Sequence, residues 1–130
     1  MSPYYHAVSS AKKWGGGWND YIHIHDFLDS TKTHHVDNSH RMILHNSFGI
    51  EICERIFGHL VINSALKHVE VRYIVIKHIE EDLGFVPTIQ DWCKELNKKD
   101  WMTGNNIKKV TVASASLLDL LEEKDKLKFT

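Results

Sequence analysis

The 130-residue chain has little of what usually classifies a small protein at sight. It has only two cysteines, Cys53 and Cys93, and neither has a second thiol near it. That excludes a zinc ribbon and a CxxC redox motif, and it reads as two reduced core thiols. No sign of charge dominates. Lys and Arg total 16 against 17 Asp and Glu, and no segment is a basic arm. An extended duplex nucleic-acid footprint is therefore not expected, whereas a small phosphate ligand needs only a few cations. Long apolar runs are missing too; the longest resemble Tyr73-Ile74-Val75-Ile76. Neither a membrane span nor a signal peptide is expected, and the expected location is the cytoplasm. The chain shows no internal repeat, no low-complexity tract, no Walker spacing and no HExxH motif. Its length predicts one domain able to bury a core without disulfides or metal.

What the chain does have is histidine, ten in all. Six lie in residues 21–55, with Asp26, Asp29, Asp37, Arg41 and Glu51 among them. Imidazoles and carboxylates at helical spacings predict a polar pocket for something anionic or metallic. Near pH 6 so many imidazoles would add positive charge and strengthen anion binding.

Ser9-Ser10-Ala11-Lys12-Lys13 predicts a short helix ended by Gly15-Gly16-Gly17, between Trp14 and Trp18. Such a segment can cradle phosphate through N–H groups, hydroxyls and an ammonium, or simply cover the core. Asp20 is a candidate cap for a helix over residues 21–31, with Ile24, Phe27 and Leu28 as its apolar stripe. His25 and Asp29 stand i, i+4 and share a face. A longer helix is expected from residue 34 or 35 to residue 57. On it His34, Asn38, Arg41, His45 and Phe48 form a polar stripe, and Val36, Ile43, Ile50 and Phe57 face the core.

Residues 59–63 and 67–71 are β-branched and alternate, which predicts a β-hairpin, although no Gly follows Asn63 at the turn. A helix is expected over residues 71–83, closed by Gly84 and repeating the His-x-x-x-Asp spacing at His78 and Asp82. Thr88 and Asp91 mark the start of another, which packs Ile89, Trp92 and Leu96. Residues 107–112 read as a strand, and Ser114 or Ser116 caps a last helix. The fold class expected is α+β, mainly helical: about four core helices, one β-hairpin and a C-terminal strand/helix extension.

The motifs stand in a recognisable order: His6-Ala7-Val8-Ser9-Ser10-Ala11-Lys12-Lys13, Ile24-His25-Asp26-Phe27, Asp29-Ser30-Thr31-Lys32, His40-Arg41, His45, Phe48-Gly49-Ile50, Val71-Arg72, His78, Glu81-Asp82-Leu83-Gly84, Pro87-Thr88, Asp91-Trp92 and Trp101-Met102. In these the chain resembles a family of short bacterial and bacteriophage proteins described as a domain of unknown function. The resemblance covers about residues 6–102 and leaves 103–130 as an extension. It implies a plausible phage origin, hence a host cytoplasm, and it directs attention to the polar motif residues. It carries over no activity.

Three functions fit these residues. One is binding of a phosphate-bearing small molecule, such as a host nucleotide signal to be sequestered. Lys12, Lys32 and Arg41 would hold the phosphate. Ser10, His25, His40 and His45 would donate to its oxygens, and Trp14 or Trp18 would stack on a base. The second is a metal-dependent phosphohydrolase or nuclease, with ligands drawn from His25, Asp29, Asp37, His40, His45, His78 and Asp82 around a divalent ion. The third is a protein-binding inhibitor of a host enzyme, with structural histidines and no ligand site. The C-terminal segment offers a surface for self-association. Convergence of histidines and carboxylates within coordination distance would favour the metal, and convergence of the three cations with the histidines would favour phosphate.

Overall fold

The computed structural model describes residues 1–34 and 37–104. The chain divides into two units, Met1–Glu95 and Leu96–Thr130. The first is mainly helical α+β, as expected. Its order is α1 (Pro3–Trp14), α2 (Ile22–Leu28), α3 (Arg41–Leu44), α4 (Ser47–Phe57), β1 (Leu60–Ile62), β2 (His68–Glu70), α5 (Val71–Leu83) and α6 (Ile89–Lys94). Short 3-10 turns cover Trp18–Asp20, Ser30–Thr33 and Asn38–His40. The described part of the second unit contains one helix, α7 (Asp100–Thr103). The strand expected over 107–112 and the last helix lie outside the described residues.

α1 begins six residues earlier than Ser9, because Pro3 occupies its first turn, where a missing N–H costs nothing. Lys12 and Lys13 close it, favourably placed at the negative end of the helix dipole. Its inner face is His6, Ala7 and Ser10, all buried. Asp20 does not cap α2, whose flanking residue is Tyr21. Its Oδ2 accepts instead from Gly17 N (2.9 Å), Ser64 N (3.0 Å) and Ser64 Oγ (2.9 Å), which ties the glycine loop to the hairpin tip.

The single helix expected up to residue 57 is broken between α3 and α4. The reason is Asn46, at φ −155° and ψ 172°. Its Oδ1 accepts from Gly49 N (2.9 Å), and its Nδ2 donates to the carbonyls of Met42 (2.9 Å) and Ile43 (3.1 Å). One buried amide thus satisfies the end of one helix and the start of the next. The break rotates Ile43 away from the core, and it is 50% exposed. Ile50 and Phe57 do pack on the core, as expected.

The hairpin pairs Leu60 with Glu70, Val61 with Val69 and Ile62 with His68. Asn63 supplies the turn that lacks a glycine. Its Oδ1 accepts from the N–H groups of Ala65 and Lys67, and its Nδ2 donates to Trp14 O and Tyr21 Oη. α5 ends at Gly84 with φ 86°, as expected. The Thr88–Asp91 capping box is reciprocal, at 3.0 Å and 2.8 Å. Ile89, expected inside, is 47% exposed. Trp92 instead donates its indole N–H to His45 O at 2.9 Å.

Tyr21, Ile24, Leu28, Cys53, Val71, Ile74, Val75 and Ile79 make a dry core. Beside it lies a second, polar interior built from His6, His25, His45 and His78, each 0% exposed. Among the described residues, no helix is long and apolar enough to cross a membrane.

Candidate metal centre

Three helices present an i, i+4 polar pair to the same interior point. α1 brings His6 and Ser10. α2 brings His25, with Asp29 at its C-terminal cap. α5 brings His78, with Asp82 one turn on. His45 enters from the α3–α4 junction that Asn46 creates.

Donor atoms of Asp29, His45, His78 and Asp82 all lie within 4.8 Å of one another. His45 Nε2 is 2.8 Å from Asp82 Oδ2 and 3.7 Å from Asp29 Oδ1. His78 Nε2 is 3.3 Å from each of the same two oxygens. Zinc ligands of these types stand about 2.0–2.1 Å from the ion, so a tetrahedral set has edges of about 3.3–3.4 Å. Four of the six edges, at 2.8 to 3.7 Å, fall on either side of that length, and the other two lie within 4.8 Å. The side chains are between 0% and 3% exposed, so two carboxylates are withdrawn from water here. Two carboxylates buried in this way need compensating positive charge, which Arg41, a protonated His78 or a bound cation can supply.

Burial would raise both carboxyls, yet hydrogen bonds from His45, His6 and His78 hold Asp82 far below the usual range. The His78 hydrogen bond and charge likewise keep Asp29 low. Burial lowers His45, against the Asp82 hydrogen bond and charge that raise it. His78 is raised, because the two carboxylates outweigh its burial. Burial, then the neighbouring His78, pushes His25 down to about 2. The buried histidines therefore do not all supply the positive charge expected near pH 6.

A second cluster, His6, His25 and His78, does not make a coordination set, although its nitrogens are also close. His6 lies face to face on His78, with centroids 3.7 Å apart and planes at 26°. Imidazole lone pairs lie in the ring plane, so stacked rings cannot both aim at one ion. His25 and His78 meet differently. Their Nδ1 atoms are 2.8 Å apart, their centroids 5.1 Å and their planes 16° from parallel. The centroid separation is the N–N distance plus the two centroid-to-nitrogen radii. The rings therefore meet head on through one N–H···N hydrogen bond. His25 Nε2 is in turn 2.9 Å from Ser10 Oγ.

Further groups surround the centre. His6 places Nε2 3.1 Å from Asp82 Oδ1 and Nδ1 3.2 Å from Glu81 Oε1. Arg41 Nη2 is 3.5 Å from Asp82 Oδ1. Among the described residues, four buried polar atoms have no protein partner: Asp29 Oδ2, His45 Nδ1, His40 Nε2 and Arg41 Nε.

Of the residues singled out from sequence, Asp29, His45, His78 and Asp82 form the donor set. Ser10, His25 and Arg41 adjoin it. His40 is buried, but its Nδ1 faces Asp37 O at 2.8 Å and it joins neither cluster. Asp37 is exposed and accepts from Ser39 N at 2.8 Å. Lys12 and Lys32 are exposed. Trp14 packs on the core and against Tyr21, with ring centroids 6.2 Å apart. His6 and Glu81 are the participants that sequence reasoning left without a role. The signal for His6 was its i, i+4 spacing to Ser10, visible once the helix is drawn from Pro3.

Fold and site together define a small, mainly helical α+β protein with a buried imidazole–carboxylate centre. The chain belongs to the family described as a domain of unknown function, DUF6915, whose model matches residues 1–102. That span contains every residue of the centre. No curated protein and no solved structure gives a significant match.

Proposed function

We propose that this protein holds a divalent transition-metal ion between Asp29, His45, His78 and Asp82, and that the ion and Arg41 together receive a phosphate-bearing anion. The observation that carries the first half is the set of four donor atoms within 4.8 Å of one another, two imidazoles beside two carboxylates, on side chains 0% to 3% exposed. Two imidazoles with two carboxylates and no thiolate suit Zn²⁺, Mn²⁺ or Fe²⁺. Arg41 supports the second half. It stands at the rim, 16% exposed, with its Nε–H buried and unpartnered. A guanidinium so placed recognises phosphate oxygens. A pocket built from Lys12, Lys32 and Arg41 without a metal is less well supported, because the two lysines lie out in solvent.

Metal-dependent phosphoester hydrolysis is the second reading. An ion here would activate water and offset charge on the phosphoryl group, and Arg41 is the observation in its favour.

The test is calorimetric titration of chelator-treated protein with Zn²⁺ and Mn²⁺, repeated with inorganic phosphate present. One ion should bind per chain, and Asp82→Ala and His45→Ala should abolish binding. Phosphate should bind only the loaded protein, and more weakly in Arg41→Gln. Undetectable binding of either ion overturns the metal centre. Equal phosphate affinity in Arg41→Gln overturns the anion site.

A further inference from the structure

We infer that Ser10 and His25 are positioning residues for the centre: a hydrogen-bonded chain, Ser10–His25–His78, fixes which nitrogen of His78 faces the ion. The inference rests on the metal-centre reading above and deepens it.

His78 has two ring nitrogens, and the fold gives each a separate task. Nε2 faces Asp29 and Asp82. Nδ1 points head on at His25 Nδ1, 2.8 Å away. A neutral imidazole carries its proton on one nitrogen only. To offer Nε2 as a lone pair to an ion, His78 must carry its proton on Nδ1. That N–H then donates to His25 Nδ1, which must be bare. His25 therefore carries its own proton on Nε2, and the atom in front of that nitrogen is Ser10 Oγ at 2.9 Å. Each assignment forces the next, and the chain ends on a hydroxyl, which can accept.

All three residues are fully buried, so water does not replace a missing link from outside. Stacking of His6 on His78, at 3.7 Å between centroids, holds the ring plane but leaves its two nitrogens equivalent. With the two carboxylates in front of Nε2, the Ser10–His25 chain supplies the acceptor that lets the proton sit on Nδ1. Metal-bound histidines almost always donate their other N–H, and loss of that outer partner typically weakens metal affinity about 10–100-fold. Here the acceptor is another imidazole, which works only while a second acceptor lies behind it.

The experiment measures Co²⁺ and Zn²⁺ affinity of the full chain, by competition with a chromophoric chelator, for wild type, Ser10→Ala, His25→Leu and His25→Asn. Ser10→Ala and His25→Leu should each lose about 10–100-fold in affinity. His25→Asn places an amide oxygen near the Nδ1 position and should recover most of the loss. That recovery separates an acceptor role from mere filling of space. A variant that fails to fold leaves a second measurement on wild type. Nitrogen chemical shifts of the Zn²⁺-loaded protein should show His78 protonated on Nδ1 and His25 on Nε2. The opposite tautomers overturn the inference, and so do unchanged affinities in Ser10→Ala and His25→Leu beside a wild type that binds. A wild type that binds neither ion overturns the metal-centre reading itself, and this inference with it.

Discussion

Gly49→Ala sets two effects of opposite sign against each other. Gly49 sits inside the first turn of α4, where helix propensity alone favours alanine by about 1 kcal/mol. Its surroundings oppose that gain. A Cβ at Gly49 would stand 1.8 Å from the carbonyl oxygen of Leu44. Ordinary C···O contacts are about 3.3–3.6 Å. The obstacle is backbone rather than a flexible side-chain tip, so α3 or α4 must shift by more than about 1 Å. That shift strains the three hydrogen bonds of Asn46, which is 1% exposed. Each buried polar group left unpaired costs about 1–3 kcal/mol. The expected net destabilisation is about 3–5 kcal/mol, among the larger effects of single substitutions. Urea unfolding of chelator-treated protein would measure it. Because His45 follows Leu44 directly, metal affinity should also fall. An alanine variant as stable as wild type, or more stable, would refute the close-approach argument and leave propensity in charge.

Asn63→Ala should cost about 2–4 kcal/mol in thermal or urea unfolding, since it removes four hydrogen bonds of a side chain in a residue only 2% exposed. Burial raises the Cys53 thiol to about 12, so a disulfide-exchange reagent should label at most Cys93 in the native protein and reach Cys53 only in denaturant. The Asp20 carboxyl is lowered by the N–H groups of Ser64 and Gly17. A depressed carboxyl contributes stability above its unfolded pKa, and that stability is lost as pH falls through the folded value. Asp20→Asn should therefore lower the melting temperature at pH 7, and the loss should shrink as pH falls below the ordinary carboxylate range; a loss that does not change with pH would refute the hairpin tie.

The helix ends and the hairpin were legible because their signals are local. Gly84 after Leu83, Thr88 three residues before Asp91, and alternation around residues 60 and 69 each dictate backbone geometry within a few residues. The α3–α4 break was not legible. The apolar period runs unbroken across it, and Asn46 acts through carbonyls three and four residues back, which only a formed turn brings within reach. The two His-x-x-x-Asp pairs were visible as shared faces, but their convergence depends on how α2 and α5 pack. His40 and Asp37 have the same residue types, but they stand three apart in the reverse order, and His40 turns its Nδ1 to the Asp37 carbonyl instead of the donor set. His6 falls outside a helix that starts at Ser9, and only the start at Pro3 puts it on one face with Ser10. A polar interior beside a dry core is a property of packing, and helix periodicity gives no sign of which histidine stripe turns inward.

Elemental analysis of protein purified without an affinity tag, paired with native mass spectrometry of the same sample, tests the central claim most directly. Wild-type protein should carry close to one Zn, Mn or Fe per chain, retained through desalting and absent from His78→Ala and Asp82→Ala. A wild-type sample that is metal-free as isolated, and stays so after incubation with each of these ions, would contradict it.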